Sequence, residues 1–197
     1  GARVIPACRS KQKAEAAVYD IRRGNEMVFM QLHLGSLKSV RSFAETFLKT
    51  KPRLGLLINN AGMLGPGHTE DGFGMAFRVN HLGHFLLTCL LLDRLKQCSV
   101  DFVLLGTHKD LVPGRSTWLN FRAYCHSKLC NVVFNRVLAN CLDGTSITTY
   151  SLHPEHIELL SGHYFSSCAL QDVGAKGRDD ALARKLWEVI ERLSDLS

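Results

Sequence analysis

Long apolar runs, clustered charge and paired-cysteine motifs are all missing from this chain of 197 residues. Its longest apolar stretch, Phe85 to Leu92, falls far short of the ~20 residues that a bilayer-spanning helix needs. No secretory signal is visible, and because the chain opens on Gly1 rather than Met, a targeting or anchoring segment has room to precede it. The longest basic run is Arg22-Arg23, so the formal net charge of +6 is scattered rather than gathered into a nucleic-acid-binding face. Such charge suits an anionic cofactor and a weak attraction to an acidic membrane surface equally well. Seven cysteines (Cys8, Cys89, Cys98, Cys125, Cys130, Cys141 and Cys168) are odd in number and form no CxxC. Most sit inside apolar runs, which predicts reduced core thiols and favours an intracellular compartment over a disulfide framework. No repeat and no low-complexity tract is present.

What remains is the composition of a globular protein, 46% hydrophobic and 21% charged, enough for one domain over residues 1–197 with one sizeable core. Its segments alternate. Ala2 to Cys8 reads as a buried strand, Lys11 to Arg23 as a polar helix ended by Gly24, and Met27 to Leu34 as a second strand. Leu37, Val40, Phe43, Ala44, Phe47 and Leu48 then recur at helical spacing, with Ser36 placed to cap the helix and Pro52 to end it. Leu54 to Asn59 reads as a third strand. A long apolar helix follows from about Gly72 to Gln97, then a loop around Pro113-Gly114 and a helix from Trp118 to Leu142. Thr145 to Ser151 is a β-branched strand, and a last helix follows Asp179 or Asp180. Strands alternating with helices predict an α/β fold with a parallel sheet, whose ligands sit at the carboxyl ends of the strands.

Three short motifs carry chemistry together: Asn59-Asn60-Ala61-Gly62 directly after a buried strand, Val79-Asn80-His81-Leu82-Gly83-His84-Phe85 early in the long helix, and Tyr124-Cys125-His126-Ser127-Lys128 in the next. Each alone is weak, and YxxxK occurs by chance in many helices. In this order and spacing, with the strings ACRS (Ala7 to Ser10), LLINNAG and AYCHSKLCNVVF, they resemble the short-chain dehydrogenase/reductase family in its retinol-dehydrogenase-like branch. The resemblance implies a Rossmann-type doubly wound parallel sheet and a nicotinamide-dependent oxidoreductase acting on a lipophilic alcohol or carbonyl, such as a retinoid. It implies membrane association for full-length relatives, although this chain shows no anchor.

The chemistry needs these residue types. Tyr124 and Lys128 are four apart, so on a helix they share a face. A tyrosine ionises near pH 10 when free, and a neighbouring ammonium favours the phenolate. Tyr124 can then exchange a proton with a substrate hydroxyl or carbonyl while hydride moves. By resemblance, Lys128 also holds the nicotinamide ribose, Asn80 positions a relay water, and Asn60, Ala61 and Gly62 line the cofactor cleft. Arg9, just after the first strand, stands where the family reads the adenosine ribose; a guanidinium there suits a 2′-phosphate and so NADP over NAD. A surface arginine at a strand end is the plainer reading. His81 and His84 could suggest a metal, but the family string accounts for both without one; His153 and His156 are not taken as ligands, and Cys125 and Cys130 read as helix packing.

The departures from the family pattern are as informative. The family's first strand and its TGxxxGIG turn, which holds the pyrophosphate on backbone N–H groups, have no counterpart here, and no other glycine-rich turn replaces them. Between Cys98 and Ser99 a central strand ending in an SSxxH-like motif is expected to be lost, the alternative being that Thr107-His108 takes the motif's place. After His153-Pro154, Glu155 replaces a glycine and the segment covering the substrate is missing. His33 stands where relatives carry an Asp near the adenine. The sheet is therefore expected to be incomplete, with unpaired strand edges and marginal stability. Two readings stay open: an NADP-dependent oxidoreductase, and a truncated, inactive relative with at most a binding role. A nucleic-acid-binding protein has only the net charge behind it.

Overall fold

The computed structural model describes residues 3–21, 27–69, 73–97, 101–106, 118–152, 164–166, 169–171 and 178–196. Helices and strands alternate as the hydrophobic periodicity predicts. β1 (Ala7–Cys8), α1 (Lys11–Ile21), β2 (Met30–Gln31), α2 (Leu37–Thr50) and β3 (Leu56–Asn59) lead into a continuous helical stretch. That stretch consists of α3 (Met75–Phe77), a π turn (Arg78–Leu82) and α4 (Gly83–Leu95). There follow β4 (Asp101–Gly106), α5 (Trp118–Cys141), β5 (Ile147–Leu152), β6 (Tyr164–Ser166), β7 (Ala169–Gln171) and α6 (Asp180–Leu193). Every strand pair is parallel except β6 with β7.

The helix ends follow from single residues. Ser36 caps α2, its hydroxyl accepting from the Ser39 amide at 3.3 Å, and Asp179 caps α6, its carboxylate accepting from the Leu182 amide at 2.9 Å. At the other end of α2 the guanidinium of Arg94, on α4, donates to the Leu48 and Lys51 carbonyls, so one helix satisfies the terminal acceptors of its neighbour.

The strands form two sheets: β1-β2, and a five-stranded sheet in the order β3-β4-β5-β6-β7. This corrects the expected loss of a later central strand. Asp101–Gly106 pairs in register with β3 on one side (Phe102 opposite Leu56) and with β5 on the other (Asp101 opposite Ile147). Two leucines and a valine in six residues suffice for a parallel strand even without the family's motif at its end. The expected gap before β1 has a structural counterpart: among the described residues no strand joins β1-β2 to β3, and β3 pairs only with β4. Leu57 and Asn59 of β3 face α4, while Leu56 and Ile58, 45% and 56% exposed, lie on a face that no described element covers.

Helix α4 organises the core. It is buried on nearly every side, as its continuous apolar sequence demands. Leu86, Leu87 and Leu91 pack with Val40, Phe43 and Phe47 of α2 and with Leu32 and Leu34. Leu82, Phe85 and Leu95 pack with Phe134 and Leu138 of α5, Ile147 of β5 and Ile190 of α6. Phe85, Phe134 and Trp187 meet at centroid distances of 5.0, 5.1 and 5.6 Å. The helical stretch Met75–Leu95 is long and apolar enough to cross a membrane, its most apolar window having mean hydropathy 1.3, although no unbroken apolar run in it reaches that length; 67% of that window is buried inside the fold, as in the core helix of a globular domain. The thiols differ from expectation. Cys8, Cys89 and Cys130 are half-buried and free, Cys125 and Cys141 are free and exposed, so Cys125 is not a packing residue. Cys98 and Cys168 lie outside the described residues.

One close approach fixes α4 against the segment after β2. A Cβ at Gly83 would lie 2.6 Å from the Leu34 carbonyl oxygen and 3.1 Å from Leu34 Cβ. Backbone cannot yield as a flexible side chain can, so Gly83→Ala is expected to destabilise the chain by roughly 1–3 kcal/mol through overpacking. Urea unfolding of the variant checks this, and an unchanged midpoint would refute it.

Candidate active site

The π turn carries Asn80 into the interior, between the loop after β3 and helix α5. Its carboxamide is fully buried and fully engaged: Oδ1 accepts from the Met63 amide at 2.7 Å, and Nδ2 donates to the Met63 carbonyl at 2.9 Å and to Ser127 Oγ at 3.0 Å. This two-point bond fastens the end of the Asn59-Asn60-Ala61-Gly62 loop to the helix. Asn59 anchors the loop's other end, its Nδ2 donating to Thr88 Oγ1 at 2.9 Å, while Thr88 donates to the His84 carbonyl at 2.8 Å. Between these anchors Asn60, Ala61 and Gly62 are exposed, available to a ligand lying along the carboxyl end of β3.

On α5 the side chains of Tyr124, Ser127, Lys128 and Asn131 are buried at i, i+3, i+4 and i+7, one polar stripe along a single face of the helix. The Lys128 ammonium lies 5.6 Å from the centroid of the Tyr124 ring. It also reaches the loop, since a Cβ at Gly62 would meet Lys128 Nζ at 3.3 Å and Asn80 Oδ1 at 3.6 Å. The missing side chain of Gly62 thus leaves room for the ammonium beside the loop. Burial pushes Lys128 down to about 8, which still leaves it charged at neutral pH.

The sequence therefore placed Tyr124, Lys128, Asn80 and Gly62 in one locality, and the fold brings these four together, with Asn60 and Ala61 on the exposed part of the same loop. Arg9 is different: it is exposed after β1, and no described contact links it to the other site residues. His33, also exposed, receives its structure from the next helix, its amide donating to Ser39 Oγ at 3.0 Å. Thr107-His108, His153, Glu155 and His156 lie outside the described residues.

Three participants escaped the sequence reading. Ser127 hides inside YxxxK, and its hydroxyl donates to the Tyr124 carbonyl at 2.6 Å while accepting from Asn80. Asn131 donates from Nδ2 to the Asn80 carbonyl at 3.0 Å. His81, set aside as a family residue, has its Nδ1 2.8 Å from Asn131 Oδ1. The i+3 and i+7 spacing from Tyr124 was the available signal.

The geometry invites comparison with known proteins. A short chain dehydrogenase family profile matches residues 1–160. Human dehydrogenase/reductase SDR family member 13 is 37% identical over 254 aligned positions, covering 100% of this chain and 67% of the relative. Mouse retinol dehydrogenase 11 is 39% identical, covering 96% of this chain and 77% of its own. Among solved structures, an uncharacterized protein from Mycobacterium paratuberculosis superposes with a TM-score of 0.81 at 29% identity over 99% of this chain and 85% of its own. A metagenomic short-chain oxidoreductase in complex with NADP shares the fold, with a TM-score of 0.65 at 17% identity over 96% of this chain and 80% of its own.

The buried histidines give the site a pH signature. Burial lowers both His81 and His84 from 6.5 to about 4. As pH falls, the unfolded chain takes up these protons near 6.5, whereas the folded chain does so only near 4. Stability is thus whole above about 6.5 and is lost between there and pH 4, by on the order of 3 kcal/mol per histidine. Urea midpoints measured across that interval should decline steadily; a flat or rising profile would contradict the buried, neutral assignment.

Proposed function

This chain belongs to the short-chain dehydrogenase/reductase family, in its retinol-dehydrogenase-like branch, and from that premise we propose that its site is built for NADP-dependent interconversion of a lipophilic alcohol and its carbonyl compound. The observation that carries this reading is the meeting of the Lys128 ammonium, the Tyr124 ring and the Asn80-anchored loop. The residues fit the nicotinamide end of such a cofactor. The Asn60–Gly62 stretch is exposed, Gly62 leaves a space that a Cβ would crowd, and a charged lysine stands behind it. Lys128 would hold the nicotinamide ribose through charge-assisted hydrogen bonds, and Asn60, Ala61 and Gly62 would line the ring's cleft. The cofactor, when bound, supplies or accepts the hydride.

The chain's own residues handle the proton. The Lys128 ammonium favours the phenolate form of Tyr124, so the phenol can give a proton to a carbonyl oxygen or take one from a hydroxyl. Asn80 acts differently from a freely water-binding side chain: its carboxamide is committed to Met63 and Ser127, so its first task is to hold the loop, and a relay water would rest on its surroundings. Arg9, exposed after β1, favours NADP over NAD by offering a guanidinium to the 2′-phosphate. The metagenomic neighbour's NADP complex is in keeping with this choice. The retinol dehydrogenase relatives support a retinoid-like substrate.

A second reading concerns competence: the chain as it stands is a catalytically impaired relative with at most a binding role. The alignment with the human relative runs over 254 positions against a chain of 197 residues, which supports internal losses. No glycine-rich phosphate-binding turn occurs in the sequence, and Thr107-His108 rather than serine follows β4.

Titrating the chain with NADPH and following its fluorescence tests both readings. A Kd above about 1 µM is expected, weakened further by Arg9→Ala for NADPH but not for NADH, and weakened again as pH rises through about 8 and Lys128 loses its charge. Submicromolar binding would overturn the impairment, and equal effects of Arg9→Ala on both nucleotides would remove the NADP preference. Any turnover detected should vanish in Tyr124→Phe; a retained rate would take the proton-transfer role from Tyr124.

A further inference from the structure

The two histidines of the Val79–Phe85 motif play no part in the proton transfer just described, yet both are buried against the π turn. We infer that Asn131 and His81 form a positioning pair for Asn80, holding the backbone carbonyl of the π turn so that the Asn80 carboxamide stays aimed at the Met63 backbone.

The orientation of each group follows from hydrogen-bond chemistry. A carbonyl oxygen can only accept, so the Asn131 atom 3.0 Å from the Asn80 oxygen is the amide nitrogen. The other end of that carboxamide, Oδ1, is then the acceptor 2.8 Å from His81 Nδ1, and His81 must carry its proton on Nδ1. This leaves Nε2 as a bare lone pair, and that atom is buried with no hydrogen-bond partner. Its surroundings are aromatic: Phe77, Phe134 and Phe85 stand with ring centroids 5.5, 6.1 and 6.4 Å from the imidazole. A protonated Nε2 would find no acceptor among these rings, so the box enforces the tautomer that Asn131 needs.

A second donor converges on the same oxygen. His84 Nδ1 lies 3.2 Å from the Asn80 carbonyl, and by the same reasoning carries its own proton there. Asn80 thus offers one backbone oxygen to side chains from α5 and α4. A π turn makes such an oxygen available by widening the helical ladder. With the carbonyl held from two sides the backbone of the π turn is fixed at Asn80, and from there its side chain meets both the amide and the carbonyl of Met63. Order passes from His81 through Asn131 and Asn80 to the loop beside Lys128. Asn131 and His81 touch no reacting atom in this scheme; they are positioning residues.

The inference rests on the proposed nicotinamide site for its purpose, but its test needs neither nucleotide nor turnover, so its failure would leave that reading standing. Amide hydrogen exchange of Met63 is measured in the unaltered chain, in Asn131→Leu and in Asn131→Asp. The Leu variant removes both bonds of Asn131, while the Asp variant keeps an acceptor for His81 and lacks the donor to Asn80. Exchange at Met63 is expected to quicken about tenfold or more in both variants, with the amide of Val40 in α2 unchanged. Protection of Met63 retained in Asn131→Asp, or an equal acceleration at Met63 and Val40, would overturn the positioning role. Should the variants fail to fold, imidazole nitrogen NMR of the unaltered chain at neutral pH decides. An Nδ1-protonated His81 is expected, and an Nε2-protonated ring would overturn the inference.

Discussion

A buried carboxamide cannot stay unpaired without cost, and Asn80 meets that constraint in a way that shapes the whole site. With water excluded, its oxygen and nitrogen must find partners in the chain, and they find the amide and carbonyl of Met63 and the hydroxyl of Ser127. One side chain thereby ties together three pieces that are distant in sequence: the loop after β3, the π turn and helix α5. The position of Lys128 beside Gly62 is inherited from that tie, while Tyr124 stands beside Lys128 through their spacing on α5. An apolar residue of equal size at position 80 would fill the space and still lose the alignment.

The sheet shows the opposite balance. Its carboxyl end is well defined from β3 to β5, each strand paired in parallel with the next and backed by α4 and α5. Among the described residues no strand pairs with the outer edge of β3, where Leu56 and Ile58 are exposed, and β1-β2 forms a separate pair. The functional consequence follows from geography. The proposed site at Tyr124, Lys128 and Gly62 lies at the end of β3, beside the strands that pair from β3 to β5.

Much of this was legible in the residues. The alternation of helix and strand, the cap at Ser36, the start of α6 at the Asp179-Asp180 pair and the shared face of Tyr124 and Lys128 all follow from periodicity and local chemistry. The π turn was not legible, because its residues satisfy an ordinary helical pattern and only the backbone reveals the widened ladder. The strand Asp101–Gly106 was discounted because familiar strings were missing around it, although its composition was sufficient. The thiols misled in the other direction: an apolar neighbourhood in sequence did not bury Cys125, whose position on α5 points away from the core. The spacing of Asn131, seven residues after Tyr124, marks it as sharing that face, but its pairing with His81 joins two helices and has no signature in either alone.

The central claim is that Lys128 is a buried, charged lysine placed to hold a nicotinamide ribose. Selective 13Cε labelling of the lysines, followed by NMR through a pH titration with and without NADP+, addresses it most directly. The Lys128 signal is predicted to titrate near 8 and to shift on addition of NADP+, while the signals of the exposed Lys38 and Lys49 do not respond to NADP+. A Lys128 signal that does not titrate near 8 and ignores NADP+ would contradict the account.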